Sequence, residues 1–310
     1  MDLSAINPVL LIASLMVSAT PILLAALGEL VVEKSGVLNL GVEGMMVSGA
    51  AVGFIAAYST GSPLLGFVAG AAGGAVLALV FGVLTQIFLS NQTATGLALT
   101  LFGIGLAALL GQSYVGSAAP MTPKMPIPLL ADIPYIGRIF FRHDLMVYFS
   151  ILACIAVWWF LNRSRAGLVL RAVGENHTAA HALGYKVVRI RLMAIAFGGA
   201  MAGLGGAYLS LVRVPTFTEN VTAGQGWIAL AIVVFASWRP LRLMAGAYLF
   251  GGLGVLQLNL QAAGAAIPVE FLSMAPYLIT ILTLVVLSAG RARAALQAPG
   301  ALGTTFHAAS

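Results

Sequence analysis

Apolar residues in this chain gather into long unbroken runs separated by short polar stretches, with neither the strict alternation of a half-buried strand nor the one-sided stripe of a soluble helix. Residues 64–89 and 192–212 each exceed the roughly 20 residues that a helix needs to cross a bilayer. Nine apolar segments are predicted as membrane helices: 8–28, 37–58, 64–90, 94–112, 144–162, 192–214, 226–238, 241–262 and 272–290. Three depart from a simple span. The second is broken by Asn39 and Glu43, the seventh is short, and the eighth carries Arg242 at its start. The expected fold is all-α: one polytopic transmembrane bundle over 1–310, with a basic loop at 163–191 and a flexible tail at 291–310.

Composition sharpens this picture. Hydrophobic residues make up 60% of the chain and charged ones 8%, against about 25% charged in a soluble domain, so water is not its main solvent. The net charge of +6 does not point to nucleic acid, because the basic residues are few, widely spaced and not interleaved with an aromatic face. They orient the helices instead. Arg163, Arg165, Arg171, Lys186, Arg189 and Arg191 face one acid, Glu175, between segments five and six, which places that loop in the cytoplasm. Threading outward puts Arg239, Arg242, Arg291 and Arg293 on the same side and the N-terminus, with Asp2, outside. The loop 111–143 opposes the bias with Lys124, Arg138 and Arg142; its prolines predict an extended, partly ordered course. No basic residue precedes Lys34, so the first apolar segment is expected to remain as a helix rather than to be cleaved. Cys154 is the one cysteine, and neither an intrachain disulfide nor a thiolate metal site is expected.

A weak internal likeness links GVEGMMVSGAAVGF and SPLLGFVAGA to GQGWIALAIVVF and RPLRLMAGA. Each copy holds a glycine-flanked polar residue (Glu43, Gln225), an apolar run, a Pro-Leu turn (Pro63, Pro240) and a Gly/Ala-rich helix. Five crossings separate the copies, which would set them upside down relative to each other, as in inverted-repeat transporters. Chance likeness between small-residue membrane helices is the competing explanation. Gly66, Gly70 and Gly74, with Gly199 and Gly203, have the small-x-x-x-small spacing of close helix packing.

The stretch GELVVEKSGVLNLGVEGMMVSGA, residues 28–50, carries the strongest candidate chemistry. Asn39 and Glu43 lie four apart, on one helix face, where an ionised carboxylate in the apolar zone costs at least roughly 2.5 kcal/mol unless paired or hydrated. They are candidates to line a solute path; an interfacial glutamate that caps or pairs with Lys34 is the alternative. Asn91, Gln92, Thr100, Gln225 and Trp227 offer amides, a hydroxyl and a ring for a sugar or base, or serve as helix caps and interfacial residues. Residues 28–35 nearly match a phosphate loop, but Glu33 stands where the second glycine belongs, and nucleotide binding is rejected there. Histidines lie in loops or the tail, H-E-x-x-H is absent, and no nucleophile–base or paired-carboxylate arrangement supports an intramembrane enzyme.

RAVGENHTAAHALGYKVVRIRL, residues 171–192, reads as a short surface helix that Glu175 and Asn176 begin and Gly184 ends, with Ala179 and Ala180 forming a smooth knob. Together with GELVVEKSGVLNLGVEGMM and GGAMAGLGGAYLSL (198–211), this element closely resembles permease subunits of bacterial ABC importers. The likeness is to the branched-chain amino acid, simple-sugar and nucleoside permease family, on its nucleoside side, and covers roughly residues 15–290. It implies that Glu175, Asn176, Ala179, Ala180 and Gly184 form a coupling helix seated in a cleft of an ATPase subunit, although the proline of the wider pattern is missing after Ile190. It further implies a second permease subunit, identical or related, an extracytoplasmic binding protein, ATP and magnesium on the partner rather than on this chain, and the bacterial inner membrane as location. An ion-coupled carrier using Glu43 without an ATPase is the alternative function.

Overall fold

The computed structural model describes residues 8–262, isolated positions between 268 and 285, and residues 298–307. In chain order the helices are α1 (Pro8–Lys34), α2 (Val42–Thr60), α3 (Pro63–Gln86), α4 (Gln92–Gly111), α5 (Ile136–Phe140), α6 (Leu145–Arg163), α7 (Arg165–Glu175), α8 (His177–Ala182), α9 (Val187–Tyr208), α10 (Gln225–Phe235) and α11 (Pro240–Ala262). A π-helical turn, Leu209–Arg213, prolongs α9. Among the described residues seven helices are long and apolar enough to cross a membrane: α1, α2, α3, α4, α6, α9 with its π turn, and α11. Nine crossings were expected. The seventh expected segment is α10, with 11 residues too short to span, and the ninth, 272–290, lies largely outside the described residues.

Element ends explain the other differences. α1 continues to Lys34, past the expected stop at 28, so residues 28–34 are helical and form no phosphate-binding loop. α2 begins at Val42 rather than 37, because the chain turns at Gly36 (φ +86°) and again where Asn39 Oδ1 accepts from the Gly41 amide at 2.9 Å. α9 starts at Val187, five residues early, and carries Arg191 into the protein with no exposed surface, whereas a solvated loop charge was expected. α6 starts where Asp144 Oδ1 accepts from the Met146 and Val147 amides at 2.9 and 3.2 Å. The other oxygen, Oδ2, accepts from the Tyr208 hydroxyl at 2.9 Å. The proline-rich loop runs extended, as its composition predicts, with bridges Val115–Phe217, Ala118–Thr216 and Lys124–Asp144 and the single helical turn of α5.

Glycines set the helix spacing at the centre. α3, α2 and α9 pack so closely that a Cβ on Gly70 would stand 2.9 Å from the Gly49 carbonyl oxygen, one on Gly199 would stand 2.5 Å from the Gly74 oxygen, and one on Gly49 would meet Gly203 backbone. Around this seam Leu23, Leu24, Leu27, Met45, Met46, Phe54, Phe81 and Ile195 are buried. The outer faces of α3, α4 and α6 expose Val76, Leu101 and Leu152, as a lipid-facing surface requires. α7 is different: its buried residues Gly167, Leu170, Val173 and Gly174 form one stripe, and Arg165 points out, the pattern of a surface helix. Replacing Gly203 by Val is expected to lower the unfolding midpoint in detergent by an amount corresponding to about 1–3 kcal/mol of overpacking. Gly105→Val, at a position with nothing within 4 Å of the added carbon, should leave the midpoint near that of the parent.

Candidate functional site

The copies of the internal likeness meet at the N-termini of α2 and α10. Pro63 opens α3 after α2 and Pro240 opens α11 after α10, so both copies form a helix, a short turn and a proline-led helix. α2 departs from the junction toward the proline-rich loop, where Phe54 and Tyr58 reach Phe217 and Tyr114 at ring separations of 5.4 and 5.5 Å. α10 departs the other way, and just beyond its end Trp238 Nε1 donates to Glu33 Oε2 at 2.5 Å, near the basic end of α1. From Gly226 to Phe235 the helix rises about 15 Å, roughly half a hydrocarbon core, so the junction lies deep in the bundle.

Glu43 occupies this junction, in the first turn of α2 and 3% exposed. Its Oε1 accepts from Thr222 Oγ1 at 2.6 Å and from the Gly224 amide at 2.9 Å; Oε2 accepts from the Gly226 amide at 2.6 Å. A carboxylate thus satisfies amides left free at the start of α10 and places negative charge at that helix's positive end. Gly226 permits the approach, since a Cβ there would stand 2.5 Å from Glu43 Cα. Glu43 therefore fastens two helix N-termini, with both carboxyl oxygens engaged at the start of the other copy.

The other expected path residues divide in two. Asn39 is 1% exposed and holds the turn before α2, its amide donating to Glu29 Oε1 at 3.3 Å and its Nδ2 to Met45 Sδ at 3.4 Å. Asn91 caps α4, accepting from the Ala94 amide at 2.9 Å. Gln92 accepts from the Leu38 amide at 2.8 Å and donates to the Thr304 oxygen at 3.4 Å; Thr100 Oγ1 donates to the Leu40 oxygen at 3.1 Å. Gln92 and Thr100 thus tie α4 to the turn before α2, Asn39 holds that turn from within and against α1, and Asn91 caps its own helix. Gln225 and Trp227, on the first turn of α10, keep free chemistry: Gln225 Oε1 is buried without a hydrogen-bond partner, and Trp227 is 38% exposed. A cavity of about 740 Å³ between α1, α6, α7 and α9 is lined by apolar side chains such as Phe149, Leu152, Phe160, Leu170 and Phe197, which give a polar solute nothing to bond.

The basic end holds the second expected cluster. Asn176 caps α8, its Oδ1 accepting from the Ala179 amide at 2.9 Å, as the sequence predicts. Glu175 does not begin this helix; it is the last residue of α7, and its Oε2 accepts from the Gly300 amide at 3.1 Å. Ala180 is buried while Ala179 is exposed, and Gly184 (φ +87°) turns the chain after α8. Leu183, 78% exposed, and Tyr185, 40% exposed, project from this turn.

Beneath α8 lies Arg191, which sequence reasoning had assigned to a solvated loop. Its Nε donates to the Ser35 oxygen at 3.2 Å, Nη1 to Gln86 Oε1 at 3.3 Å and to the Thr304 oxygen at 3.1 Å, and Nη2 lies 3.3 Å from His177 Nδ1. Residues 298–307, expected to belong to a flexible tail, are packed here: Ala301 and Phe306 are 6% and 7% exposed. No pattern in the sequence announced this contact, because the tail's partners, backbone and side chain alike, lie more than a hundred residues away.

Comparison with known proteins supplies the identity. The family described as branched-chain amino acid transport system / permease component matches residues 11–287. TsgC13 of Haloferax volcanii, provisionally assigned as a glucose ABC transporter permease, is 45% identical over 81% of this chain and 77% of its own length. The guanosine ABC transporter permease NupQ of Bacillus subtilis is 34% identical over 92% and 93%. The nucleoside ABC transporter permease NupC of Lactococcus lactis is 32% identical over 89% and 91%. A solved inward-facing structure, provisionally of a metal-chelate type ABC transporter, superposes with a TM-score of 0.51 over 93% of this chain and 91% of that one, at 16% identity, and shares the fold. Each of the three named sequence relatives is an ABC transporter permease, which leaves an ion-coupled carrier without support.

Two predictions follow from the geometry. Glu43→Ala leaves two buried amides and a hydroxyl without an acceptor and is expected to cost about 3 kcal/mol in detergent unfolding. Glu43→Gln, which keeps an oxygen for Thr222 and Gly224 but turns a donor toward Gly226, should fall between Ala and the parent. His177 is held below its ordinary value by burial first and by the Arg191 guanidinium second; Glu175 and His181 are its titratable neighbours along the chain, and Phe306 lies against its ring at 5.3 Å. A depressed histidine favours the packed state above its free value of about 6.5, and that contribution is lost as pH falls through the packed-state value. Amide exchange of residues 299–306, relative to the intrinsic rate at each pH, should therefore quicken as pH falls below the free histidine value and stay slow in His177→Gln. Acid-independent exchange in the parent would contradict this assignment. With sequence, fold and relatives in agreement, the chain is a multi-pass membrane protein and belongs to the family of branched-chain amino acid transport system permease components.

Proposed function

We propose that this chain is the membrane-spanning subunit of an ATP-driven importer of nucleosides, with α8 and the turn after it docking on an ATPase subunit. The family match and relatives make it a permease subunit of an ABC transporter, a transport component whose partners are ATPase and binding-protein subunits. The observation that carries the docking role is the exposed apolar knob of Ala179, Leu183 and Tyr185 on a helix otherwise surrounded by charge. Arg163, Arg165, Lys186 and Arg189 around it favour the cytoplasmic face and hence an N-terminus outside, in the inner membrane of a bacterial cell.

Nucleoside is favoured by the two relatives that span about nine-tenths of this chain, guanosine and nucleoside permeases. It is also favoured by the first turn of α10, where an exposed indole and an amide oxygen without a partner can stack on a base and accept a hydrogen bond. Glucose is the second candidate, on the 45% identity to TsgC13. Leu183→Asp should insert in the membrane as the parent does and fail to bring down the ATPase subunit; unchanged co-purification would refute the docking role. In proteoliposomes holding the whole transporter, labelled guanosine uptake should be competed by inosine and not by glucose, and Trp227→Ala should reduce it about 5- to 100-fold, the equivalent of one stacked base. Competition by glucose alone would decide for the sugar.

A further inference from the structure

The last described segment, residues 298–307, makes contacts that join α8 to four other elements at once, and it explains how a helix of six residues keeps a fixed position. Such a helix has no stability of its own. Its one buried side chain, Ala180, sits in a small apolar cluster with Val173, Val187 and Phe306, separate from the main core. Phe306 is the largest member, and its ring lies edge-on to His177 and His181 at 5.3 and 5.2 Å. Four residues earlier Leu302 packs against the main core. Between and beside these anchors the Gly300 amide donates to Glu175 Oε2, the Ala301 amide to the Gly174 oxygen at 2.9 Å, and the Gly303 amide to the Gly36 oxygen at 3.2 Å. The Thr304 oxygen accepts from Arg191 Nη1 on α9 and from Gln92 Nε2 on α4. α7, α8, the α1–α2 turn, α4 and α9 thus all hold one short strap.

We propose that residues 299–306 are a positioning element for transport: they make α8 and the α1–α2 turn, with the first turns of α4 and α9, move as one body, so that a push on α8 reaches the bundle. This rests on α8 being the ATPase-facing helix. Without the strap, α8 keeps its chain connections, the Arg191–His177 contact and the packing of Ala180 on Val173 and Val187, but loses Phe306, the largest member of that cluster; the ATPase still docks on Ala179 and Leu183, but part of its motion is absorbed by slack in the looser tether. Arg191 is the fixed point of the arrangement, since it binds the strap, the α1–α2 turn through Ser35, α3 through Gln86 and α8 through His177 simultaneously.

The test compares the parent, a chain ending at residue 298, Phe306→Ala and Phe306→Leu. Each is assembled with its ATPase, second permease and binding protein in proteoliposomes, with labelled guanosine and labelled glucose supplied in parallel. Solute taken up per ATP hydrolysed is the readout, and ATPase co-purification is the control. The truncated chain and Phe306→Ala are expected to retain the ATPase and its hydrolysis while uptake per ATP falls about tenfold, within the usual range of coupling between sites, and Phe306→Leu should recover most of it. An unchanged ratio in both the truncated chain and Phe306→Ala, or hydrolysis and uptake falling in step, would overturn the proposal. A parent chain that fails to retain the ATPase would instead remove the docking role on which it stands.

Discussion

A single carboxylate at the meeting point of two helices determines how this bundle is built. α2 and α10 begin next to each other inside the protein and run apart, so their positive ends and unsatisfied amides face the same small volume. Left alone, such a junction would be unstable in a medium without water. Glu43 resolves it from one side, accepting from two amides and a hydroxyl of the other copy. The cost of burying a carboxyl group in the apolar zone and the cost of free helix ends are offset against each other at this junction.

This arrangement accounts for the odd lengths of the elements around it. α10 has 11 residues because it starts halfway through the bundle. The irregular stretch before α2 is tolerated because Asn39, Gln92 and Thr100 bond its backbone from α4 and from within. Non-helical backbone at depth survives only where protein groups replace water, and here they do so residue by residue. The first turn of α10, with the unsatisfied Gln225 oxygen and the half-open Trp227 ring, is where the same logic leaves polar capacity over.

Much of this was legible in the residues. Unbroken apolar runs announced the spans, glycine spacing announced the α3–α9 seam, Asn176 announced α8, and Pro63 and Pro240 marked corresponding corners of the two copies. What escaped was which partner each polar residue takes. Glu43 four residues after Asn39 reads as a path residue or as an interfacial glutamate paired with Lys34, because Thr222 and Gly226 lie some 180 residues on and nothing local points to them. Arg191 sits in a run of basic residues whose other members serve orientation, and its burial depends on two backbone carbonyls and the Gln86 side chain, from three distant segments. The tail's composition is that of a loose end; its order comes in part from backbone bonds to Gly36 and Gly174, which the lack of a side chain at Gly174 lets lie close together. Local pattern reports solvent and period, whereas pairing across the bundle is a property of the fold.

The two fasteners differ in a way that bears on motion. Glu43 joins helices end to end at the centre, with short charge-assisted bonds to backbone amides of a helix start, and is suited to hold its geometry through a transport cycle. The contacts of Arg191 and the strap are longer, 3.1–3.4 Å for Thr304 and Gln86, and lie at the edge of the protein beside an ionisable imidazole. The closely packed glycine seam of α2, α3 and α9 runs past the same centre, so those helices would shift together rather than slide, and displacement at the basic end would be passed to the first turn of α10 through the short helix whose other end Trp238 ties to Glu33.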